Sequence, residues 1–171
     1  MSGDQDAAGD AASAARAAFA EARSALAGVP KEALGEDRPG RRILGIARAD
    51  RILPAGDAWH LGVLLLTDEA VLATGEIGRA RADVLRGFPA ESQRARAARA
   101  AAASRGGFAE GRVVHVGWVV IDLDALSADS APLAVRDGRP VVRWSVAGGY
   151  VPLERYLAEQ VGLLQHPPDR A

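Results

Sequence analysis

The chain has 171 residues, a formal net charge of −1 and no cysteine. A chain of this size buries roughly 70% of its unfolded surface, so it can fold without a metal or a disulfide. The missing cysteines exclude thiol catalysis and thiolate metal sites, and the balanced charge gives no overall field that would attract nucleic acid. No apolar run approaches the ~20 residues that span a bilayer, so we expect a cytoplasmic protein without a membrane span.

The N-terminal segment predicts a helix over residues 10–27, ended by Gly28 and Pro30. Its apolar stripe is narrow and follows helical spacing at Ala15, Ala18, Phe19, Ala22 and Leu26. Such a helix either docks lightly on the rest of the chain, which we favour, or pairs with a partner. We therefore expect an N-terminal helical arm and linker over 1–41, a single α+β domain over 42–166, and a disordered tail over 167–171.

A first strand is predicted over 42–49 and a structured loop over 50–59. The next stretch, 60–77, is the most apolar in the chain and predicts a hairpin that reverses at residues 67–70. This reversal pairs Leu66 with Val71, Leu65 with Leu72 and Leu64 with Ala73, and it sets Gly62 opposite Gly75. Because both faces carry aliphatic side chains, the hairpin has to be covered on both sides.

The second half of the chain predicts a short helix over 78–86, an alanine-rich helix over 90–104 and a long strand over 112–123. A second hairpin turns at Asp137-Gly138, with Pro140 indicating a sheet edge in the return strand. An amphipathic helix begins near Pro152. The pattern predicts an α+β fold: a bent antiparallel sheet of about six or seven strands, or a PH-like barrel, with a C-terminal amphipathic helix and the N-terminal arm.

The residues give little support for catalysis. No Gly-x-Gly pair occurs, and Lys31 is the only lysine and lies in the predicted linker, so phosphate-loop patterns fail. The histidines lack metal-ligand spacing, and a structural role for each is the favoured interpretation, so we expect no metal and no cofactor. The alternative is a small hydrolase or ligand-binding enzyme with a site near Asp57, Trp59, His60, His115 and Trp118.

Two further groups of side chains each have two possible roles. The aromatic residues on or beside strands (Trp59, Trp118, Trp144 and Tyr150) fill the core in the favoured reading, or line a pocket for a flat or apolar ligand in the other. The arginines Arg94, Arg96 and Arg99 form a basic surface on the alanine-rich helix. Such a stripe is more often a solvated face paired with local acids than a phosphate site, so nucleic acid is not the expected partner.

Two resemblances follow from the motifs. Arg-Ile-Leu-Pro-x-Gly-Asp-Ala-Trp-His-Leu-Gly-Val-Leu-Leu-Leu-Thr-Asp (51–68), Arg-Gly-Gly-Phe-Ala-Glu-Gly (105–111) and Gly-Gly-Tyr-Val-Pro-Leu (148–153) resemble a set of uncharacterised actinobacterial proteins. Some of those proteins carry an automatic glutaminase label. Strands that end in Leu-Leu-Thr-Asp, with a closing amphipathic helix, are similar to a bacterial PH-like or GRAM-like barrel.

The function that we expect is a non-enzymatic binding or assembly module of the PH-like kind. Its contact would be a homo-oligomer or protein partner, reached through the N-terminal helix or a sheet edge. The alternative, a glutaminase-like amidohydrolase, is disfavoured because serine-dependent glutaminases use a Ser-x-x-Lys pair and this chain has none.

Overall fold

A computed structural model describes residues 2–40, 42–43, 46–82, 91–145 and 147–167. The described residues form three helices: α1 (Ser2–Ala25), α2 (Glu91–Arg105) and α3 (Leu153–Gln165). None of these helices has the length and apolar character needed to cross a membrane. Helices and a sheet occur together, so the predicted α+β class, with an N-terminal and a C-terminal helix, is confirmed.

Twelve strands are described: β1 (Glu32–Arg38), β2 (Arg42–Ile43), β3 (Ile46–Ala47), β4 (Arg51–Leu61), β5 (Leu64–Leu66), β6 (Val71–Ala73), β7 (Glu76–Arg79), β8 (Val113–Val116), β9 (Val119–Val120), β10 (Leu133–Arg136), β11 (Arg139–Arg143) and β12 (Tyr150–Pro152). Seven follow the order β7-β8-β1-β4-β5-β6-β9, three the order β10-β11-β12, and β2 pairs with β3. The seven-stranded sheet is mixed, because β1 and β8 run parallel. Among the described strands it has two ends, β7 and β9, and does not close into a barrel.

The chain divides into two compact units, each built from separate segments. Unit 1 comprises Met1–Pro30, Trp59–Ala73 and Val120–Ala171, and unit 2 comprises Lys31–Ala58 and Thr74–Val119.

Helix α1 contributes its apolar side chains to the core of unit 1. The predicted stripe of α1 is buried, with Phe19 and Leu26 fully inaccessible. It belongs to one apolar cluster with the two hairpins and α3, whose large members include Leu61, Leu64, Leu66, Leu133, Val142, Leu153 and Leu157. Burying a Phe or Leu side chain stabilises a fold by about 1.5–3 kcal/mol. The N-terminal helix is therefore a structural element of unit 1.

The central hairpin of unit 1 has the predicted register. Leu66 pairs with Val71, Leu65 with Leu72 and Leu64 with Ala73. The Thr67 N–H donates to the Ala70 carbonyl at 3.0 Å, and the Thr67 hydroxyl accepts from the Ala70 N–H at 2.7 Å. A threonine therefore closes the turn through both its backbone and its side chain.

The predicted pairing of Gly62 with Gly75 is wrong. Leu61 pairs with Leu64, so Gly62 and Val63 form a two-residue turn between β4 and β5. Gly62 has φ of +63°, a backbone conformation that glycine adopts without steric cost.

The second hairpin of unit 1 also follows the prediction. Arg136 pairs with Arg139, and the turn residues Asp137 and Gly138 have φ of +49° and +70°. The edge of this small sheet, however, is not at β11, which pairs with β10 on one side and β12 on the other. The pairing between β11 and β12 ends at Val141, which pairs with Pro152. Pro140 lies one residue outside this pairing, so β11 tolerates a proline there.

Unit 2 places β1 between β4 and β8, with β7 beyond β8. Its core is small and contains Ala33, Ile52, Ala80, Ala102, Ala103, Val114 and Val116. Helix α2 enters it through Ala102 and Ala103. The alanine-rich helix predicted over 90–104 is thus confirmed as α2.

Several predicted boundaries in unit 2 are corrected. The linker expected between the N-terminal helix and residue 42 contains β1, and the loop expected over 50–59 is mostly β4. Pro54 and Gly56 look like loop residues because they form a bulge: the register shifts at Leu34/Gly35, and Gly56 has φ of +118°. The short helix expected over 78–86 is also wrong at its start, where Gly78 and Arg79 belong to β7.

The remaining predictions concern the strand over 112–123 and two segments that extend beyond the described residues. That strand breaks into β8 and β9 at Gly117, whose φ is +67°. Residues 83–86 of the expected short helix, and residues 168–171 of the expected tail, lie outside the described residues.

Candidate functional site

Three of the five predicted site residues lie in unit 2, where each bonds to another part of the same unit. The Asp57 carboxylate accepts from Arg112 Nη2 at 3.2 Å. The fully buried His115 imidazole contacts the Glu32 carboxylate, with Nε2 and Oε2 2.5 Å apart. Trp118 Nε1 donates to the Gly35 carbonyl at 3.1 Å. These bonds connect β1, β4 and β8 and the residues beside them.

The other two predicted site residues lie in unit 1. Trp59 is 5% exposed, and its Nε1 donates to the Val29 carbonyl at 2.9 Å. His60 Nε2 lies 2.8 Å from the Gly62 carbonyl. Because a carbonyl only accepts, Nε2 carries the proton in this bond. Both side chains therefore support the strand β4 and the turn that follows it.

The three arginines of the predicted basic surface on α2 make different contacts. Arg99 donates to Asp37 at 2.9 Å and to Glu76 at 3.0 Å, which ties α2 to β1 and β7. Arg96 donates to the Ser92 carbonyl at 3.3 Å. Arg94 is exposed and forms no ion pair with any described residue. The arginine nearest the sheet thus has a structural role.

A groove on unit 1 is large enough to hold a ligand. It has a volume of about 470 Å³ and is lined by Gly62, Val63, Trp144, Val151, Arg155, Tyr156, Glu159 and Gln160. The volume falls in the range of about 300–1,000 Å³ that small-molecule and peptide-anchor pockets occupy. We call it the α3 groove, because α3 supplies half of its lining.

The floor of the α3 groove is fixed by Tyr156. Its hydroxyl donates to the Leu61 carbonyl and accepts from the Val63 N–H, both at 2.9 Å. Burial raises the pKa of this hydroxyl above 10.0; the bond from Val63 opposes the shift and the charge of Glu159 adds to it. Tyr156 therefore stays neutral and holds α3 against the β4–β5 turn.

One wall of the α3 groove is an indole. Trp144 follows β11 and is 55% exposed, although tryptophan usually buries most of its surface. Its ring lies against the turn at Gly148, where a Cβ atom would come 3.2 Å from Trp144 Cε2 and 3.3 Å from Nε1. The indole therefore lies beside this turn while more than half of the residue remains exposed.

The rim of the α3 groove carries opposite charges. Arg155 and Glu159 are exposed and lie four residues apart on α3, so they are neighbours on one helix face. Within the described residues, neither side chain forms an ion pair or a hydrogen bond. The rim thus presents one cation and one anion toward solvent.

Strand β12 runs beside the groove as the edge of the small sheet, and Val151 of this strand lines the groove. The first residue of β12, Tyr150, is held by Arg136, whose guanidinium carbon lies 4.6 Å from the ring centroid. Arg136 Nη2 also donates to the Tyr150 hydroxyl at 3.1 Å. The edge strand is therefore fixed before any ligand arrives.

A second cleft of unit 1, of about 660 Å³, is lined mainly by α1 and by residues 120–124. Both of its arginines bond within the unit: Arg16 pairs with Asp124, and Arg23 Nε donates to the Thr67 carbonyl at 2.8 Å. Burial lowers the pKa of Arg23, and Asp68 partly opposes the shift. These contacts attach α1 to the central hairpin.

The sequence predicts Trp144 as an aromatic that could line a pocket, but no sequence pattern indicates the rest of the groove. The polar face of α3 looked like ordinary helix surface, and Gly62 looked like a strand residue. The signal that was present is a tryptophan beside a Gly-Gly turn at the end of a strand.

No protein-family model, no curated protein and no solved structure matches this chain.

Proposed function

We propose that this chain is a non-enzymatic binding module that holds an extended segment of another protein in the α3 groove, alongside β12. The observation that carries the proposal is the exposed Trp144 indole, which forms one wall of a groove beside an edge strand.

Edge strands and hydrophobic grooves are two features that peptide-binding proteins combine. An added strand gains affinity from its backbone hydrogen bonds, and pockets for alternate side chains give specificity. In this chain the backbone of the bound segment would follow β12, and an apolar side chain would lie on Trp144. Tryptophan is well suited to such a contact, because a rigid aromatic surface loses little conformational entropy on binding.

The lining of the groove favours binding over catalysis. Among its described lining residues, Tyr156 is the one hydroxyl group, and its donor and acceptor are both engaged by the backbone at Leu61 and Val63. A hydroxyl held in this way does not serve as a nucleophile or exchange protons with a ligand.

The sheet edge is a better contact than the N-terminal helix. The apolar stripe of α1, including Phe19 and Leu26, is buried in the core of unit 1. A partner that used this stripe would have to displace α1 from the core, whereas β12 is an edge strand among the described residues.

The experiment is a selection of hexapeptides from a random phage-displayed library on the full-length chain. The same library is selected on Trp144→Ala, which removes the wall of the groove. The matched control is Leu163→Ala, because Leu163 is a large apolar residue on α3, is 50% exposed and does not line the groove. Circular dichroism verifies that each variant is folded.

We expect peptides with a shared apolar position to be enriched on the wild-type chain and on Leu163→Ala, and to be lost on Trp144→Ala. Equal enrichment on Trp144→Ala would place the binding surface elsewhere and overturn the proposal. A selection that enriches no peptide on the wild-type chain would overturn it as well.

A further inference from the structure

We infer that the segment bound in the α3 groove carries an acidic and a basic residue two positions apart, placed opposite Arg155 and Glu159. This inference rests on the proposed function and adds the chemistry of the partner. It follows from the charges on the rim and from a match between two repeat distances.

The charges on the rim of the groove are open to a partner. Arg155 and Glu159 are both exposed, and neither bonds to another described residue. An uncharged ligand would leave both groups facing solvent, and a ligand of a single charge would be attracted by one and repelled by the other. Charge complementarity therefore selects a segment with one charge of each sign.

The spacing of the two charges fits an extended chain. Four residues of an α-helix rise about 6 Å along its axis. Two residues of a strand advance about 6.6 Å, and residues two apart point to the same side. A strand lying along α3 can therefore place residue i opposite one charge and residue i+2 opposite the other. The residue between them points away from these charges, and we assign this residue to the contact with Trp144.

The contribution of each ion pair is modest, because both side chains are exposed and solvent screens the interaction. Each pair should change the dissociation constant by about two- to five-fold. The effect should shrink as salt is raised, because the Debye length falls to about 3 Å at 1 M ionic strength. The apolar contact with Trp144 should not show this salt dependence.

The test uses blocked hexapeptides that differ only at the two positions flanking a central leucine. These positions carry Glu and Arg, Arg and Glu, two Glu, two Arg or two Gln. Binding to the full-length chain is measured by isothermal titration calorimetry at low and high salt. The variant Arg155→Glu gives the rim two acidic residues, and Glu159→Arg gives it two basic residues. Neither variant changes Trp144.

On the wild-type chain we expect one of the two mixed peptides to bind most tightly, since backbone pairing fixes the direction of the segment. Arg155→Glu should then prefer the peptide with two Arg, and Glu159→Arg the peptide with two Glu. If all five peptides bind equally and their binding depends on Trp144, the inference about the two charged residues of the segment is wrong, while the proposed function stands. If none of them binds to the wild-type chain, both are overturned.

Discussion

Gly62 and Tyr156 approach each other so closely that a Cβ atom on Gly62 would collide with the tyrosine hydroxyl. The hydroxyl lies there because it bonds to the backbone on both sides of the glycine, at Leu61 and Val63. A side chain of one helix thereby satisfies the polar groups of a tight turn, and the same contact forms the floor of the α3 groove.

Replacing Gly62 with alanine should destabilise the chain. The left-handed backbone at φ of +63° costs a residue with a Cβ about 1–3 kcal/mol, and the collision with Tyr156 adds to that cost. We expect the urea midpoint to fall with an unchanged m-value. Gly149→Ala is the control, because Gly149 has an ordinary φ and no atom within 4 Å of its Cβ position. Equal midpoints for the two variants would contradict the contact.

The double variant Gly62→Ala/Tyr156→Phe tests whether the clash involves the hydroxyl. Removing the oxygen removes the atom that the alanine meets, so the loss in the double variant should be smaller than the sum of the two single losses. An interaction energy of about 0.5 kcal/mol or more is expected for residues in contact. Strictly additive losses would mean that the two residues act independently.

The raised pKa of Tyr156 predicts a loss of stability in alkaline solution. Since the folded chain holds this proton more tightly than the unfolded chain, the stabilisation is complete below pH ~10 and is lost as the pH rises through the folded-state pKa. Tyr156→Phe lacks the titrating group and should lose less stability over this range. Urea unfolding of both chains between pH 8 and 11.5 measures the difference, and parallel pH profiles would contradict it.

Gly148→Ala should disturb the wall of the groove while the fold persists. The added methyl would meet Trp144 and the Ser145 hydroxyl, so the indole has to move. We expect altered tryptophan fluorescence and weaker binding of the peptides selected on the wild-type chain, with thermal stability reduced by about 1–3 kcal/mol at most, as for other cases of overpacking. Unchanged fluorescence and affinity would show that the indole is not held by this turn.

The arginines of α2 should differ in their contribution to stability. Arg99→Ala removes the bonds to Asp37 and Glu76 and should lower the free energy of unfolding by about 1 kcal/mol, less in high salt. Arg94→Ala, on the same helix, should change it by no more than about 0.5 kcal/mol. Urea unfolding at 0.05 and 1 M NaCl separates the two variants, and equal effects would contradict the structural role of Arg99.

Replacing Gly35, in the core of unit 2, with a residue that has a side chain should destabilise the chain. A Cβ there would lie 2.8 Å from Val114 Cγ1 and 3.0 Å from Val116 Cγ1, and would also meet Ile52. Gly35→Ala should cost about 1–3 kcal/mol by overpacking. Gly78→Ala, in β7, meets no atom within 4 Å and serves as the control. A thermal midpoint for Gly35→Ala equal to that of the control would show that the core yields to the methyl.

The parts of the fold that the sequence predicted are those whose partners are close along the chain. The hairpin at Thr67–Ala70 and the turn at Asp137-Gly138 pair residues within ten positions of each other, so local turn chemistry and apolar alternation were sufficient. The alanine-rich α2 and the amphipathic α3 were likewise set by local propensity and pattern.

The parts that were missed depend on partners far away. The segment of β1 looks like a linker because Gly35, Pro39 and Gly40 stand there among charged residues, and only its pairing with β4 and β8 makes it a strand. The α3 groove draws its lining from the β4–β5 turn, Trp144, Val151 and α3. No local pattern brings those stretches together, so the site could be found only in three dimensions.

The division of the chain into interleaved segments has a consequence for its synthesis. Every segment of unit 2 has been translated once Val119 is added, whereas unit 1 still lacks β10, β11, β12 and α3. Domains generally fold as units when their sequence has emerged from the ribosome. Phe19 and Leu26 therefore reach their full burial only after the second hairpin and α3 have been synthesised.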